Sequence, residues 1–168
     1  EPRKNLVRVV HAFSRVAARR PDLDLVLAGR WGWRYDDVIE AVVSSPVRVR
    51  IHALGHVPEE DLLSLVGHAR AVLYPSLLEG FGLPVLEGMA AGAPVLTSDR
   101  EPLRSLAGDA ALTVDPTDEE AIAAGIERLL EDEELRRRLV RRGPRRARGF
   151  SWARCAAATL EAYHRVVA

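Results

Sequence analysis

The sequence predicts an α/β fold built on one doubly wound parallel sheet with helices on both faces. Three observations predict it. Apolar runs of strand length, such as Ala71-Val72-Leu73-Tyr74, alternate with stretches of helical periodicity along the chain. Prolines and glycines punctuate the runs where the chain must turn. The 168 residues, 48% hydrophobic and 29% charged, suffice for one domain with a full core but not for two large ones.

Glu1-Pro2-Arg3-Lys4-Asn5 is a polar opening to a helix over 6–19, where Leu6, Val9, Val10, Phe13, Val16 and Ala17 fall at helical spacing. Pro21 and Asp22 end it, and 23–29 reads as a buried strand. A helix over 36–43 and a strand over 47–53 follow. Gly55-His56-Val57-Pro58 turns the chain into a helix over 59–69, and 70–76 supplies the next strand. After the central block come a strand at 95–97, a short helix at 101–106 and a short edge strand at 111–114. Asp118 caps a long charged helix, and Asp132 or Glu133 begins a second helical piece predicted to end near Gly143-Pro144. Ser151-Trp152 opens the last helix, 153–167. With no internal repeat and no low-complexity linker, residues 1–168 read as a single domain.

Composition removes several function classes. Formal net charge is zero, so no general electrostatic case for nucleic acid exists. The one cysteine, Cys155, forbids an internal disulfide. No apolar run approaches the roughly 20 residues that span a bilayer. The 24 basic residues comprise 23 arginines and a single lysine, Lys4. A compact ammonium differs from a planar guanidinium as a phosphate partner, which singles Lys4 out.

The chemistry concentrates in residues 79–92, Glu-Gly-Phe-Gly-Leu-Pro-Val-Leu-Glu-Gly-Met-Ala-Ala-Gly. Pro84 can open a helix and Gly92 can close it, so the block reads strand, glycine-rich loop, short helix, strand. That order sets loop amides at the positive end of a helix, which suits a phosphate. Glu79 before the loop and Glu87 about one turn into the helix are poor phosphate ligands but good acceptors for hydroxyls. Phosphate plus hydroxyls suggests a nucleotide sugar. The plain alternative is a strand-to-helix turn with capping carboxylates.

The block resembles retaining glycosyltransferases of the GT-B fold, in particular bacterial mannosyl-, glucosyl- and related hexosyltransferases. Glu79 and Glu87 match that family's two glutamates separated by seven residues, with Gly-Phe-Gly-Leu-Pro inside, and the match continues through Ala90-Ala91-Gly92-Ala93-Pro94-Val95 to Ser98. The resemblance covers essentially the whole chain but one half of such an enzyme. It implies a Rossmann-like, C-terminal, donor-binding domain, with a first strand and an N-terminal acceptor-binding domain absent. It also implies that the final helix, 152–167, exposes an apolar face that would otherwise pack on the absent half.

The same resemblance distributes roles. Lys4, with Arg3 beside it, would hold the diphosphate, although the family's usual arginine lies a few positions earlier. Gly80, Phe81, Gly82, Leu83 and, beyond Pro84, Val85 would offer backbone N–H groups. Glu79 would take a hydroxyl of the transferred sugar and Glu87 the ribose. Val57 would line the base pocket through its backbone. Glu79 and Lys4 are thereby the candidate catalytic residues. The reaction implied is transfer from a nucleoside-diphosphate sugar to an acceptor hydroxyl with retention, by the full-length enzyme and not by these residues alone. Neither a cofactor nor a metal is expected, nor a nucleic-acid partner. The location implied is cytoplasmic, with any attachment to the inner membrane face made through the absent half.

On the residues, two rivals stay open: a non-catalytic nucleotide-binding module, and a nucleotide-sugar epimerase of related fold. The Glu79–Glu87 pair is what separates the transferase from the plain module. Gly29-Arg30-Trp31-Gly32 is too weak for a dinucleotide fingerprint. Asp22-x-Asp24 fits a turn into a strand better than a metal site, and histidines 11, 52, 56, 68 and 164 show no ligand spacing. The arginines of 136–148 follow acids at 131–134 and read as a solvated helix face. No Ser-His-Asp or Cys-His arrangement supports a hydrolase.

Overall fold

The computed structural model describes residues 1–30 and 32–167; Trp31, within the glycine turn considered above, lies outside the described residues. After a single 3-10 turn at Pro2–Lys4, the chain runs α1 (Leu6–Ala17), β1 (Leu25–Ala28), α2 (Asp36–Ser44), β2 (Ile51–Gly55) and α3 (Glu59–His68). It continues as β3 (Val72–Tyr74), α4 (Leu83–Ala90), β4 (Val95–Ser98), α5 (Leu103–Ala107), β5 (Leu112–Val114), α6 (Glu119–Glu131), α7 (Glu133–Ala147) and α8 (Trp152–Val167). Every described strand pairing is parallel, as the strand–helix alternation predicts.

The sheet comes in two pieces. β1 pairs with β2, Leu25 opposite Ile51, and β3–β4–β5 form a separate ladder in which Leu96 lies opposite both Leu73 and Leu112. One helix unites them. Val9, Val10, Phe13 and Ala17 of α1 pack with Leu25 and Ile51, while Ala12 and Val16 pack with Leu96 and with Ile122, Ile126 and Leu129 of α6. Leu73 of β3 touches both clusters. On the opposite face Val85 and Met89 of α4 meet Val95, Leu103 and Leu106, and α7 lies across α4. α3 stands apart: it buries none of its residues, and Leu63 is 54% exposed.

Capping fixes the helix starts as the sequence indicates. Asp118 Oδ1 accepts from the N–H groups of Glu120 and Ala121, at 2.8 and 3.1 Å, and Asp132 Oδ1 from Leu135 at 2.8 Å. Among the boundaries that differ, three bear on the packing. The strand expected over 47–53 begins only at Ile51, because Arg48–Arg50 form a 3-10 turn around the buried Val47. The short helix expected from 101 starts at Leu103, after Pro102. The helix expected to stop near Gly143-Pro144 continues to Ala147. Gly143 explains the last: a Cβ there would lie 2.9 Å from the Met89 carbonyl oxygen, so the glycine admits close contact with α4 rather than ending α7. Beyond α7 the final helix projects with every described side chain exposed, including Trp152 at 81% and Tyr163 at 65%. No helix among the described residues is long and apolar enough to cross a membrane.

Candidate active site

The site gathers where the chain's opening turn meets the carboxyl end of β3. Asn5 makes the joint. Its backbone adopts a left-handed conformation, φ 61°, and its buried side chain leaves α1 uncapped and reaches across the sheet instead. Its Nδ2 donates to the carbonyls of Pro75 and Pro116, at 2.9 and 2.6 Å, just past β3 and β5. The Arg3 carbonyl accepts from the Leu77 N–H and from the Ser76 hydroxyl, both at 2.7 Å. Residues 3–5 are therefore bound to the segment that leads into the glycine loop.

Glu79 is the most heavily engaged side chain there. Its Oε1 accepts from the Tyr74 hydroxyl at 2.7 Å and from Ser76 Oγ at 2.9 Å. Its Oε2 lies 2.6 Å from Arg3 Nη1, and its side chain is only 10% exposed. Burial alone would raise the carboxyl, but hydrogen bonds from Tyr74, Ser76 and Arg3 outweigh it and hold Glu79 below the ordinary carboxylate range. Burial, and then the bond to Glu79, push the Tyr74 phenol above its ordinary value, so Tyr74 remains a donor. Arg3 also pairs with Glu1 at 2.7 Å, which leaves its guanidinium between two carboxylates. The N–H of Lys4, half-buried in the same turn, donates to the Glu1 carbonyl at 3.1 Å, whereas its side chain has no hydrogen bond or ion pair among the described residues.

The loop that follows is seated from below. Gly82, at φ +105°, occupies a conformation that side chains rarely adopt, and a Cβ there would stand 2.3 Å from Leu103 Cδ2. Phe81 meets Phe150 edge to face at 5.9 Å between centroids, and the Arg146 guanidinium lies 5.2 Å from the Phe150 ring. Arg146 in turn donates to the carbonyls of Ser105 and Leu106, at 2.6 and 3.0 Å. The N–H groups of Gly80, Phe81, Gly82 and Leu83 donate to no acceptor among the described residues. Val85 differs from expectation: its N–H donates to the Gly82 carbonyl at 3.0 Å and closes the first turn of α4, and its side chain is fully buried. Glu87 is exposed on α4, and its carboxylate has no partner among the described residues. Val57 is half-buried in the turn after β2, in the two-stranded part of the sheet.

Other candidates resolve into local structure. Asp24 Oδ1 lies 3.1 Å from His52 Nε2, and Asp22 faces Arg20. In the arginine-rich stretch, Arg136 and Arg137 pair with Glu133 and Arg142 with Asp109, while Arg146 binds the end of α5 as above. Sequence reasoning passed over Tyr74, Ser76 and Asn5. The signal at Tyr74 was a phenol ending an otherwise apolar strand; at Asn5, a capping-type residue directly before a helix.

A parallel sheet wound on both faces, with a glycine loop between two glutamates after its third strand, defines the C-terminal half of a GT-B glycosyltransferase fold. The chain belongs to the family described as Glycosyl transferases group 1, which matches residues 1–146. It is 42% identical over 165 residues to the O-antigen chain mannosyltransferase B of Escherichia coli, covering 97% of this chain and 43% of that protein. It is 32% identical to the MMP alpha-(1->4)-mannosyltransferase of Mycolicibacterium hassiacum, covering 99% and 41%. The chain thus spans about two fifths of these relatives. Among solved structures, the sucrose-phosphate synthase of Thermosynechococcus elongatus superimposes with a TM-score of 0.82 at 27% identity, over 99% of this chain and 43% of its own. The C-terminal domain of a group 1 family protein from Francisella tularensis shares the fold at 0.78 and 22% identity, over 89% and 80%. Membership favours a glycosyltransferase domain, mannosyltransferase-like in sequence, over a plain nucleotide-binding module or an epimerase.

Proposed function

We propose that the chain is the donor-binding domain of a retaining hexosyltransferase that takes its sugar from a nucleoside-diphosphate sugar. The observation that carries this is Lys4. The residue is half-buried and its ammonium has no protein partner among the described residues, in a turn bound to the start of a loop with four open amides. Such a group suits a diphosphate. Arg3, Gly80, Phe81, Gly82 and Leu83 complete the phosphate and sugar contacts, Glu79 takes a hydroxyl of the transferred sugar, Glu87 the ribose, and Val57 the base. In the reaction the acceptor oxygen bonds to the anomeric carbon as the bond to the diphosphate breaks, and the electron pair leaves on the diphosphate. The acceptor's proton passes to the departing oxygen on the same face. Lys4 and the amides stabilise the charge that develops there. No metal takes part in this scheme, and the enzyme works in the cytoplasm, with any membrane attachment outside this domain.

The proposal extends to the sheet. A further parallel strand, preceding Glu1 in the longer protein, lies between β1 and β3, followed outward by an acceptor-binding domain. Three features support it. β1 and β3 pack on the same helix without pairing to each other. The connection from β2 to β3 carries α3 with no residue buried. Val26 of β1 is 42% exposed. Without the acceptor domain, these residues bind donor but do not transfer sugar.

The test is Lys4→Ala in the intact protein. Nucleoside diphosphate binding should weaken by about 1.5–3 kcal/mol, the range for a hydrogen bond to a charged group, with nucleoside binding almost unchanged. Equal losses for both ligands would show that Lys4 serves the fold instead.

A further inference from the structure

Glu79 has less freedom to meet a ligand than its place before the loop implies. Each carboxylate oxygen accepts about two hydrogen bonds. Oε1 already faces two hydroxyls, those of Tyr74 and Ser76, whereas Oε2 faces only Arg3 among the described residues. The two hydroxyls are not equivalent. Ser76 Oγ lies 2.9 Å from Glu79 but 2.7 Å from the Arg3 carbonyl, and its single proton serves one of them at a time. Among the described residues the Tyr74 hydroxyl bonds to Glu79 alone, at 2.7 Å. Its ring is fixed as well: Tyr74 ends β3, pairs in register with Thr97 of β4, and packs on the cluster of Val85, Met89 and Val95. Thr97 Oγ1 donates to the Tyr74 carbonyl at 3.0 Å, which ties the backbone at the same residue. The phenol oxygen is therefore a fixed point on the rigid sheet, and the carboxylate hangs from it.

We propose that Tyr74 is a positioning residue for the transferred sugar: it turns Oε1 of Glu79 inward and leaves Oε2, beside Arg3, as the oxygen that receives a sugar hydroxyl. The proposal rests on the assignment of Glu79 to the transferred sugar. Tyr74 touches no donor atom itself and acts through the carboxylate. Its selectivity for the sugar follows from place, since the nucleotide is held by other groups. A phenylalanine there would keep the ring in the core and release the carboxylate to swing.

The experiment compares wild type, Tyr74→Phe and Glu79→Gln as intact proteins by titration calorimetry. The ligands are GDP, GDP-mannose, UDP and UDP-glucose. The quantity read is the sugar increment, the ratio of affinities for a nucleotide sugar and its own nucleoside diphosphate, followed from pH 7 down to pH 4. For Tyr74→Phe, nucleoside diphosphate affinity should stay within about twofold while the increment falls about tenfold. The pH at which the remaining increment disappears should also rise, because the carboxylate has lost a donor. A structural role alone would weaken both ligands equally and leave that pH unmoved. Site-specific 3-fluorotyrosine at position 74 preserves shape and fold, and its more acidic phenol should move the same pH downward. An unmoved limb in both variants overturns the role of Tyr74. If Glu79→Gln abolishes the increment and Tyr74→Phe does not, the Tyr74 proposal fails and the Glu79 assignment stands. If Glu79→Gln keeps the increment, or wild type shows none, the underlying assignment fails and the proposal falls with it.

Discussion

Gly143 of α7 presses on the backbone of Met89 in α4, where an added Cβ would lie 2.9 Å from the Met89 carbonyl oxygen and 3.2 Å from its Cα. Neither atom belongs to a side chain that could rotate away. Gly143→Ala would gain about 1 kcal/mol of helix propensity. The forced separation of α4 and α7 costs more, about 1–3 kcal/mol for overpacking of this kind. The expected outcome is net destabilisation of about 1–2 kcal/mol, read as a lower denaturant midpoint at unchanged slope. Because α4 carries Glu87, donor affinity should fall in the same variant.

Asn5→Ala should cost more. It leaves the carbonyls of Pro75 and Pro116 without their buried donor, and it puts alanine where φ is 61°. Each lost buried partner costs about 1–3 kcal/mol, and the left-handed backbone adds to it. Thermal unfolding of the variant should show a loss of at least about 3 kcal/mol. Asn5→Gly, which restores the backbone freedom but not the amide, should recover only the smaller share.

Much of this architecture is legible in the amino-acid sequence. Short apolar strands between helices can be placed by periodicity, and Asp118 and Asp132 announce the helices they cap. What could not be read is whatever depends on partners distant in sequence. Gly143-Pro144 carries the local chemistry of a helix stop, and contact with Met89, 54 positions earlier, overrides it. Val47 looks like strand because it is apolar and buried, yet it anchors a 3-10 turn. At the site, the two glutamates and the glycine loop stood out from their own spacing. The clamp of Tyr74, Ser76 and Arg3 on Glu79 did not, since it needs the chain's first turn and the end of β3 to meet. Asn5 was hidden for the same reason.

Glu87 should respond differently from Glu79. It is exposed on α4, and its carboxylate is free of protein partners among the described residues. Glu87→Gln should therefore leave stability within about 0.5 kcal/mol, as for an uncoupled surface position. It should weaken a nucleoside diphosphate and the matching nucleotide sugar alike, and the penalty should shrink with a 2′-deoxyribose ligand, which lacks one hydroxyl. Calorimetry on the three ligands measures this. A penalty confined to the sugar-bearing donor would move Glu87 away from the ribose.

Glu79 also sets an acid dependence of stability. Its folded pKa lies below the ordinary 4.5, so its contribution is complete above about that pH and drains away as pH falls through the folded value. Tyr74 works in the opposite direction: its folded pKa is raised, so its share is present below pH 10.0, its unperturbed value, and is lost at higher alkalinity. The stability difference between wild type and Glu79→Gln should be level from about pH 5 to 9 and narrow below it. Asp115, also held low, by Thr117 first, is common to both proteins and cancels in the difference. Urea midpoints from about pH 9 down to about pH 3 provide the measurement.

Lys4 is the only lysine in 168 residues. Reductive methylation with labelled formaldehyde would therefore place one ε-dimethyl group in the chain, and its carbon resonance would arise from the proposed diphosphate site and from no other lysine. Dimethylation keeps the positive charge, so the tagged amine still senses an anion. The α-amine of the chain carries a dimethyl signal of its own, and the one ε-dimethyl peak beside it becomes a built-in occupancy gauge, obtained without mutating any residue.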